Sequence, residues 1–433
     1  MTRLPGDSFT VSCHPIMRLL SIVAVVLMAA CTRAPFASTP VASRGASPSS
    51  PAHKVLLVSL DGFRADYIER PVARRLRALA AGGVRAERMV PAFPSKTFPN
   101  HYTIVTGLYP EHHGIIANAM YDASIGRRFT LIDTAVTHDP RWWGGEPLWT
   151  TVERQGKKAA SFFWVGSDIR IGGHLPTWYR VYDGRVPNTT RVETVLDWLA
   201  MPAGTGPDFV STYFSDVDDA GHRYGPAAAS IDSAIAKVDA MVGALIDGLA
   251  ARGLTDHVNL VVVSDHGMTP ISADRVIYYD DYIDLSRVQI VDLSPVGALA
   301  PTADYVAEAY AKLKGAHPHM QVYRKGEVPA RLHFNNNPRI TPLVTIADEG
   351  WTMTTRAAAR AGLPAGGTHG FDNLLPSMGA LFVASGPAFR QGMVVPPFQN
   401  VHVYGLLAGI LGVTPAPNDG SPDSTRALLR SSR

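Results

Sequence analysis

Cysteine is almost absent from this 433-residue chain: Cys13 and Cys31 are the only two. Both stand in an N-terminal segment that reads as a leader, so the mature chain can close no internal disulfide. A chain of this length does not need one, because burial in a large core is enough to hold an exported domain together. An excess of charge of either sign is missing too. The 40 Lys and Arg against 37 Asp and Glu leave a net +3, which excludes a surface built to coat nucleic acid and a polybasic membrane arm. Any anionic ligand must therefore be held by local chemistry. Apolar runs of membrane-spanning length, about 20 residues, are lacking as well. Internal repeats are also missing.

The apolar run inside "MRLLSIVAVVLMAAC" (Met17–Cys31) is about twelve residues long, with a basic start and a small-residue end, the pattern of a secretory signal. Met28-Ala29-Ala30-Cys31 resembles a bacterial lipoprotein cleavage box, with methionine where leucine is more usual; ordinary cleavage near Ala37 is the alternative. Met17 is the expected start of translation. Residues 1–31 are thus expected as a signal peptide, and 32–52, rich in Ser, Pro and Ala, as a flexible tether. The expected location is the periplasm or outer membrane, with attachment through a lipid on Cys31.

From residue 53 the pattern is that of an α/β protein. "KVLLVSLDG" (Lys54–Gly62), "KKAASFFWVG" (Lys157–Gly166), "DFVSTYFSDVD" (Asp208–Asp218) and "VNLVVVSDHG" (Val258–Gly267) are near-continuous apolar runs of strand length, as in strands buried on both faces. Helices are predicted over Ala73–Gly83 and Ala227–Gly253, and a last strand over Met378–Gly386. The alternation predicts a mostly parallel central sheet with helices on both faces. Residues 280–350 break the rhythm and are expected to form a small inserted subdomain. Residues 421–433 are expected as a tail.

In such sheets ligands bind beyond the carboxyl ends of the strands, and three of the buried runs end in Asp61, Asp218 and Asp265. Histidines accompany them. His266 follows Asp265, His222 stands four residues after Asp218 and so on one helical face, and His369 lies among glycines. Carboxylate oxygen with imidazole nitrogen suits Zn²⁺ and related transition metals. "FPSKTFPNHYTIVTG" (Phe93–Gly107) adds a lone hydroxyl, Thr97, at the mouth of a predicted helix. Pro99 suits a first helical turn. Thr97 thus stands where free N–H groups and the helix dipole favour an anion, as a cap, a nucleophile, or both. Free threonine is a poor nucleophile near pH 7 and needs a base or a metal. Of the remaining histidines, His101 is expected to orient this helix. His317 and His319 have pair spacing but no acid near in sequence.

The order "SLDGFR", "PSKTFPNHYTIVTGLYPEHHGIIAN", "DVDDAGHRYGP", "SDHGM", "GTHGFDN" resembles the nucleotide pyrophosphatase/phosphodiesterase family of the alkaline phosphatase superfamily. The match runs discontinuously from about Lys54 to Gly386. The resemblance implies an alkaline-phosphatase-like fold and a catalytic domain over 53–420. It implies two Zn²⁺, one held by Asp218, His222 and His369, the other by Asp61, Asp265, His266 and the Thr97 oxygen. It also implies an in-line displacement through a phosphothreonine, with Asn118 and the Phe98 N–H holding a phosphate oxygen, and an aromatic at Phe98 stacking on a nucleobase. Tyr182 is expected as the opposite wall, with Tyr179 or Trp178 as substitutes, and Tyr213 as a further pocket residue. Lys96 is expected to be solvated or structural.

The expected activity is hydrolysis of nucleotides and nucleotide derivatives to nucleoside 5′-monophosphates. Two divalent cations against three carboxylates and an ionised threonine leave a site suited to a singly charged diester. A dianionic monoester would want a further cation, for which Arg64 and Arg223 are the nearest in sequence. The alternatives are a phospholipid-headgroup phosphodiesterase or phosphomonoesterase of the same fold, and a metal-free periplasmic binding lipoprotein. The Cys/Ser-x-Pro-x-Arg signature of sulfatases is absent around Thr97.

Overall fold

The computed structural model describes residues 53–431; the leader ending at Cys31 and the 32–52 tether lie outside the described residues. β1 (Lys54–Leu60) is buried at every position after Lys54. α1 (Arg74–Gly82) and β2 (Val84–Ala86) follow. α2 (Thr97–Thr106) stops at Gly107, whose φ of 66° is the left-handed conformation that glycine adopts without strain. The alternation continues with α3 (Leu148–Arg154), β3 (Ala159–Phe162), β4 (Trp178–Arg180) and α4 (Asn188–Ala200). Then come β5 (Phe209–Phe214), α5 (Asp216–Tyr224), α6 (Ala229–Ala251) and β6 (Val258–Val263).

The segment that broke the rhythm folds as β7 (Val288–Asp292), β8 (Val296–Pro301), α7 (Val306–Leu313), β9 (Met320–Arg324) and β10 (Leu343–Ala347). These strands pair antiparallel in the order β7-β8-β10-β9, over a small core of their own that includes Leu299, Leu313, Met320 and Leu343. β11 (Phe382–Ser385), β12 (Met393–Val395) and α8 (Val403–Leu411) complete the chain's main elements. Among the described residues no helix is long and apolar enough to cross a membrane.

The main sheet has eight strands in the order β12-β2-β11-β6-β1-β5-β3-β4. Successive side chains of a strand point to opposite faces, and β1 shows the consequence. Val55 and Leu57 join one core with Ile104 and Val105 of α2 and Leu407 of α8. Leu56, Val58 and Leu60 join the other with Leu76 of α1, Val195 of α4 and Ile235 of α6. A strand clad on both faces has no polar side to present, which is why the sequence read as unbroken apolar runs.

β11 runs antiparallel to both of its neighbours, β6 and β2, whereas the other pairings are parallel, so the sheet is mostly parallel as expected. Two expectations are corrected. The strand predicted over 157–166 ends at Phe162, because Phe163 turns at φ 73°, a conformation uncommon for residues other than glycine. The expected tail is no tail over its described part: Leu428 is buried, Leu429 bridges to Phe389, and the Arg430 Nε donates to the Phe389 carbonyl at 2.7 Å.

His113, just after α2, is fully buried. Its Nδ1 accepts from the Ile115 N–H at 3.1 Å, so its proton sits on Nε2, 3.0 Å from the Thr103 hydroxyl. Burial pushes this imidazole down to about 3. The folded-state value lies below the unfolded one, near 6.5. The group's contribution is therefore complete above pH 6.5 and is lost as pH falls toward 3. Replacing His113 by Gln should flatten the pH dependence of unfolding free energy between pH 6.5 and 4 by up to about 1.4 kcal/mol per pH unit. Urea melts of both proteins across that range check this.

Candidate active site

β1, β5 and β6 are neighbours running the same way, so the loops leaving their carboxyl ends meet at one edge of the sheet. Asp61 directly follows β1. Asp218 sits in the first turn of α5, just after β5, and Asp265 and His266 lie two and three residues past β6. Gly62 allows the acids to close up. A Cβ there would lie 2.9 Å from Asp218 Cα and Cβ, and its φ is +64°; its N–H donates to Asp265 Oδ1 at 3.1 Å. His222 lies one turn along α5, with Nε2 3.4 Å from Asp218 Oδ2. His369 arrives from the Gly-rich segment, 3.8 Å from Asp218 Oδ1.

Thr97 is the first residue of α2, and Lys96 occupies the capping position with no side-chain cap. The helix-cap reading of the Thr97 hydroxyl therefore fails. Its Oγ1 lies 3.3 Å from His266 Nε2, and that nitrogen lies 2.9 Å from Asp265 Oδ2 and 3.5 Å from Asp61 Oδ1. The His266 and His369 rings stack with centroids 3.5 Å apart.

Three groups of side chains bring ligand atoms close enough to share a cation: Asp218, His222 and His369; Asp61, Asp218 and His266; and Asp61, His101 and Asp265. His101 is the weakest candidate of these. Its Nδ1 faces the Thr97 carbonyl at 2.9 Å and so carries a proton, while Nε2 meets the Ser59 hydroxyl at 2.7 Å. It anchors α2 to β1.

The electrostatics test whether a cation fits. Asp61 Oδ1, Asp218 Oδ1 and Asp265 Oδ2 are buried without a hydrogen-bond partner. Burial, then Asp265 and Asp218, hold the Asp61 carboxyl well above the usual carboxylate range. Burial also raises Asp218. Asp265 goes the other way: burial opposes its ionisation, but His266 and His101 more than reverse that and hold it well below the usual range. His266 is raised, the penalty of burial being outweighed by Asp265. Burial, then the neighbouring His266 and His222, press His369 well below its usual value. Three acids cannot all ionise in a buried site without positive charge. Orphaned carboxylate oxygens beside imidazoles make a donor set that fits divalent transition metals.

Thr97 opens into a cleft of about 310 Å³ lined on one side by Asp61 and Asp218 and elsewhere by rings such as Phe98, Trp143 and Tyr182 and by aliphatic side chains such as Leu131 and Ile169. Phe98 is half-buried, against Phe129 and Trp143. Tyr182 is 53% exposed, its ring against Phe163 at 5.2 Å and Tyr213 at 6.2 Å. Tyr179 and Trp178 do not line the cleft. Tyr213 does, but its hydroxyl is committed to Asp61 Oδ2 at 2.6 Å, so its polar end serves the acid rather than the cleft. Sequence reasoning missed Trp143, Trp164, Phe163 and the pair His138–Asp168, 3.1 Å apart, all at the cleft wall.

Other expectations need amendment. The Phe98 N–H donates to Asn118 Oδ1 at 3.1 Å, so it is not free; the Asn118 Nδ2 remains as the donor. Lys96 is buried and paired with Asp292 of the insert, not solvated. Arg64 is taken by Asp66 and by the Met268 carbonyl, and Arg223 is exposed with its guanidinium over Tyr224. Among the described residues no lysine or arginine lines the cleft. His317 and His319 lie in the insert, where His319 does find an acid, Asp348 at 3.0 Å.

Residues 55–372 match the family described as Type I phosphodiesterase / nucleotide pyrophosphatase. The chain belongs to that family. Ectonucleotide pyrophosphatase/phosphodiesterase family member 1 of Mus musculus is 41% identical over 390 residues, covering 87% of this chain and 42% of the relative. An uncharacterised pyrophosphatase/phosphodiesterase of Schizosaccharomyces pombe is 38% identical over 389 residues, covering 87% of this chain and 80% of the relative. Among solved structures, murine ectonucleotide pyrophosphatase/phosphodiesterase 5, in an inactive form in complex with AMP, superposes with a TM-score of 0.83 at 37% identity, over 87% of this chain and all of that one. The chain thus spans less than half the length of the mouse family member 1 protein. The span matched by the family, 55–372, includes Asp61, Thr97, Asn118, Asp218, His222, Asp265, His266 and His369.

Within this phosphodiesterase-family site, Tyr213→Phe should leave the ring packing intact and remove the donor to Asp61. Loss of such an outer partner typically weakens metal binding about 10–100-fold. Zn²⁺ titration of the two proteins, with circular dichroism as the folding control, checks this.

Proposed function

We propose that this chain hydrolyses phosphodiester and pyrophosphate bonds in nucleotides and nucleotide derivatives, releasing nucleoside 5′-monophosphates. The observation that carries the reading is the setting of Thr97. Its hydroxyl stands at the N-terminus of α2, 3.3 Å from His266 Nε2, and opens into an aromatic-walled cleft that Asp61 and Asp218 also reach. The relatives named as nucleotide pyrophosphatase/phosphodiesterases, and the AMP bound by one of them, support the substrate class.

In this reading Asp218, His222 and His369 would hold one zinc ion, and Asp61, Asp265, His266 and the Thr97 oxygen a second. Bound there, such ions supply Lewis acidity, lowering the pKa of an attached hydroxyl and neutralising charge on phosphoryl oxygens. The Thr97 Oγ, its proton given up, attacks phosphorus and the bond to the leaving oxygen breaks. The phosphothreonine that remains still carries the nucleoside on its 5′-oxygen, and water then cleaves the Thr97 Oγ–phosphorus bond, releasing the nucleoside 5′-monophosphate and returning a proton to the hydroxyl. The N-terminus of α2 favours the anion, and Asn118 Nδ2 donates to a non-bridging oxygen. Phe98 and Tyr182 flank the base; such stacking is worth about 1–3 kcal/mol and accepts any base. The absence of lysine and arginine from the cleft wall favours a singly charged diester over a dianionic monoester. Export with lipid attachment at Cys31 belongs to the same proposal and rests on the Met17–Cys31 pattern.

Nitrophenyl esters of thymidine monophosphate, of phosphate and of phosphorylcholine should be turned over in a ratio that favours the first. Fastest turnover of the phosphorylcholine ester would replace the nucleotide reading with a headgroup one. Thr97→Ala should lower kcat at least about 10³-fold, and Asn118→Ala about 10²–10³-fold. Elemental analysis should find zinc in the active protein; a metal-free protein with full activity would end this reading.

A further inference from the structure

Lys96, buried, and Asp292, partly buried, form an ion pair between the body of the protein and the insert. Lys96 is only 6% exposed and stands in extended backbone immediately before Thr97. Asp292 closes β7, just past the point where the pairing of β7 with β8 slips between Ile290 and Asp292. The irregularity ends at the residue that reaches out of the insert. Its other oxygen, Oδ1, accepts from the Leu293 N–H at 2.9 Å, so both ends of the carboxylate are engaged.

The lysine's surroundings are what give the pair a consequence. On one side of it, the Ser95 carbonyl takes the His369 Nδ1 proton at 2.8 Å, and the Ser95 hydroxyl donates to the Phe371 carbonyl at 3.1 Å. On the other side is the Thr97 hydroxyl. Gly370 covers the lysine stem: a Cβ there would lie 3.1 Å from Lys96 Cε and 3.0 Å from Pro295 of the insert, at φ +111°. The backbone carbonyl of Lys96 meanwhile accepts from both the N–H and the Nδ2 of Asn100, at 3.1 and 2.9 Å. Three consecutive residues thus set the orientation of His369, the link to the insert, and the position of the nucleophile.

We propose that Lys96 and Asp292 are positioning residues: the insert, through this pair, fixes Thr97 and His369 relative to each other. The inference rests on the functional reading above for Thr97. Losing either member lets the 95–97 segment shift, which separates the attacking oxygen from the imidazole that shares the site. A displacement of about 1 Å at such a centre is enough for a hundredfold loss of rate.

The test compares Lys96→Met, Asp292→Asn and the double variant in full-length, zinc-loaded protein. Each single variant should lower kcat on the nitrophenyl ester of thymidine monophosphate about 10–100-fold, with KM within about threefold, since Phe98 and the cleft rings are untouched. Each also leaves one buried polar or charged group without its partner, so the melting temperature falls. The double variant leaves no unpaired buried charge. Its melting temperature should recover while kcat stays low; recovery of both would show a purely structural pair and overturn the proposal. Zn²⁺ titration provides a readout independent of turnover: affinity in all three variants should drop about tenfold or more as His369 loses its setting, and unchanged affinity with unchanged kcat would also overturn the proposal. Should Lys96→Met fail to fold, the near-isosteric Asp292→Asn and the charge-keeping Lys96→Arg carry the same comparison. A wild-type protein without phosphodiesterase activity would defeat the functional reading alone, and the zinc titration would still decide the pair.

Discussion

Mutual repulsion among Asp61, Asp218 and Asp265 is the constraint on which the rest of this structure turns. Three adjacent parallel strands deliver three carboxyl groups to one buried point, and each keeps an oxygen that no donor meets. Left alone, such an arrangement is strongly unfavourable. The surrounding residues temper it only in part. Tyr213 donates to Asp61, Gly62 to Asp265, and His266 approaches all but Asp218 within ion-pair distance. A site that stops short of satisfying its own acids is suited to recruiting positive charge from solution, and that need explains why imidazoles rather than arginines complete the circle.

The cleft beside the acids follows an opposite rule. Among the described residues its walls are largely aromatic and aliphatic and carry no lysine or arginine, and apart from the His138–Asp168 pair the charged groups gather at the end where Asp61 and Asp218 stand. The insert contributes no side chain to this wall and instead touches the centre through the Lys96–Asp292 ion pair.

Much of this was legible in the sequence because of where chemistry meets periodicity. Asp61, Asp218 and Asp265 each close an apolar run, and a doubly covered strand has only its end free to carry an acid. The four-residue step to His222 follows from helical geometry, and α5 does coil there. His369 was legible by resemblance more than by pattern, since a glycine-rich loop has no period to place it. Other features left no local trace. Phe163 bends the chain with a bulky residue in a conformation that sequence rules reserve mostly for glycine, so β3 was drawn too long and the cleft rings beyond it were missed. The reversal of β11 is a matter of topology, which an apolar run cannot encode. Lys96 reads as a surface residue by type; its burial depends on Asp292, almost two hundred positions away. Tyr213 could be placed near the site but not assigned its partner.

β1 is the first strand made and lies in the middle of the finished sheet, between β5 and β6. Its flanks come from residues 209–214 and 258–263. At ribosomal speeds of 5–20 residues per second, a nascent chain waits roughly ten seconds or more before both neighbours exist. Through that interval a mostly apolar segment has both edges open, the condition under which strands join the wrong partner. Anything that keeps those edges covered until residue 263 has been made lowers that risk.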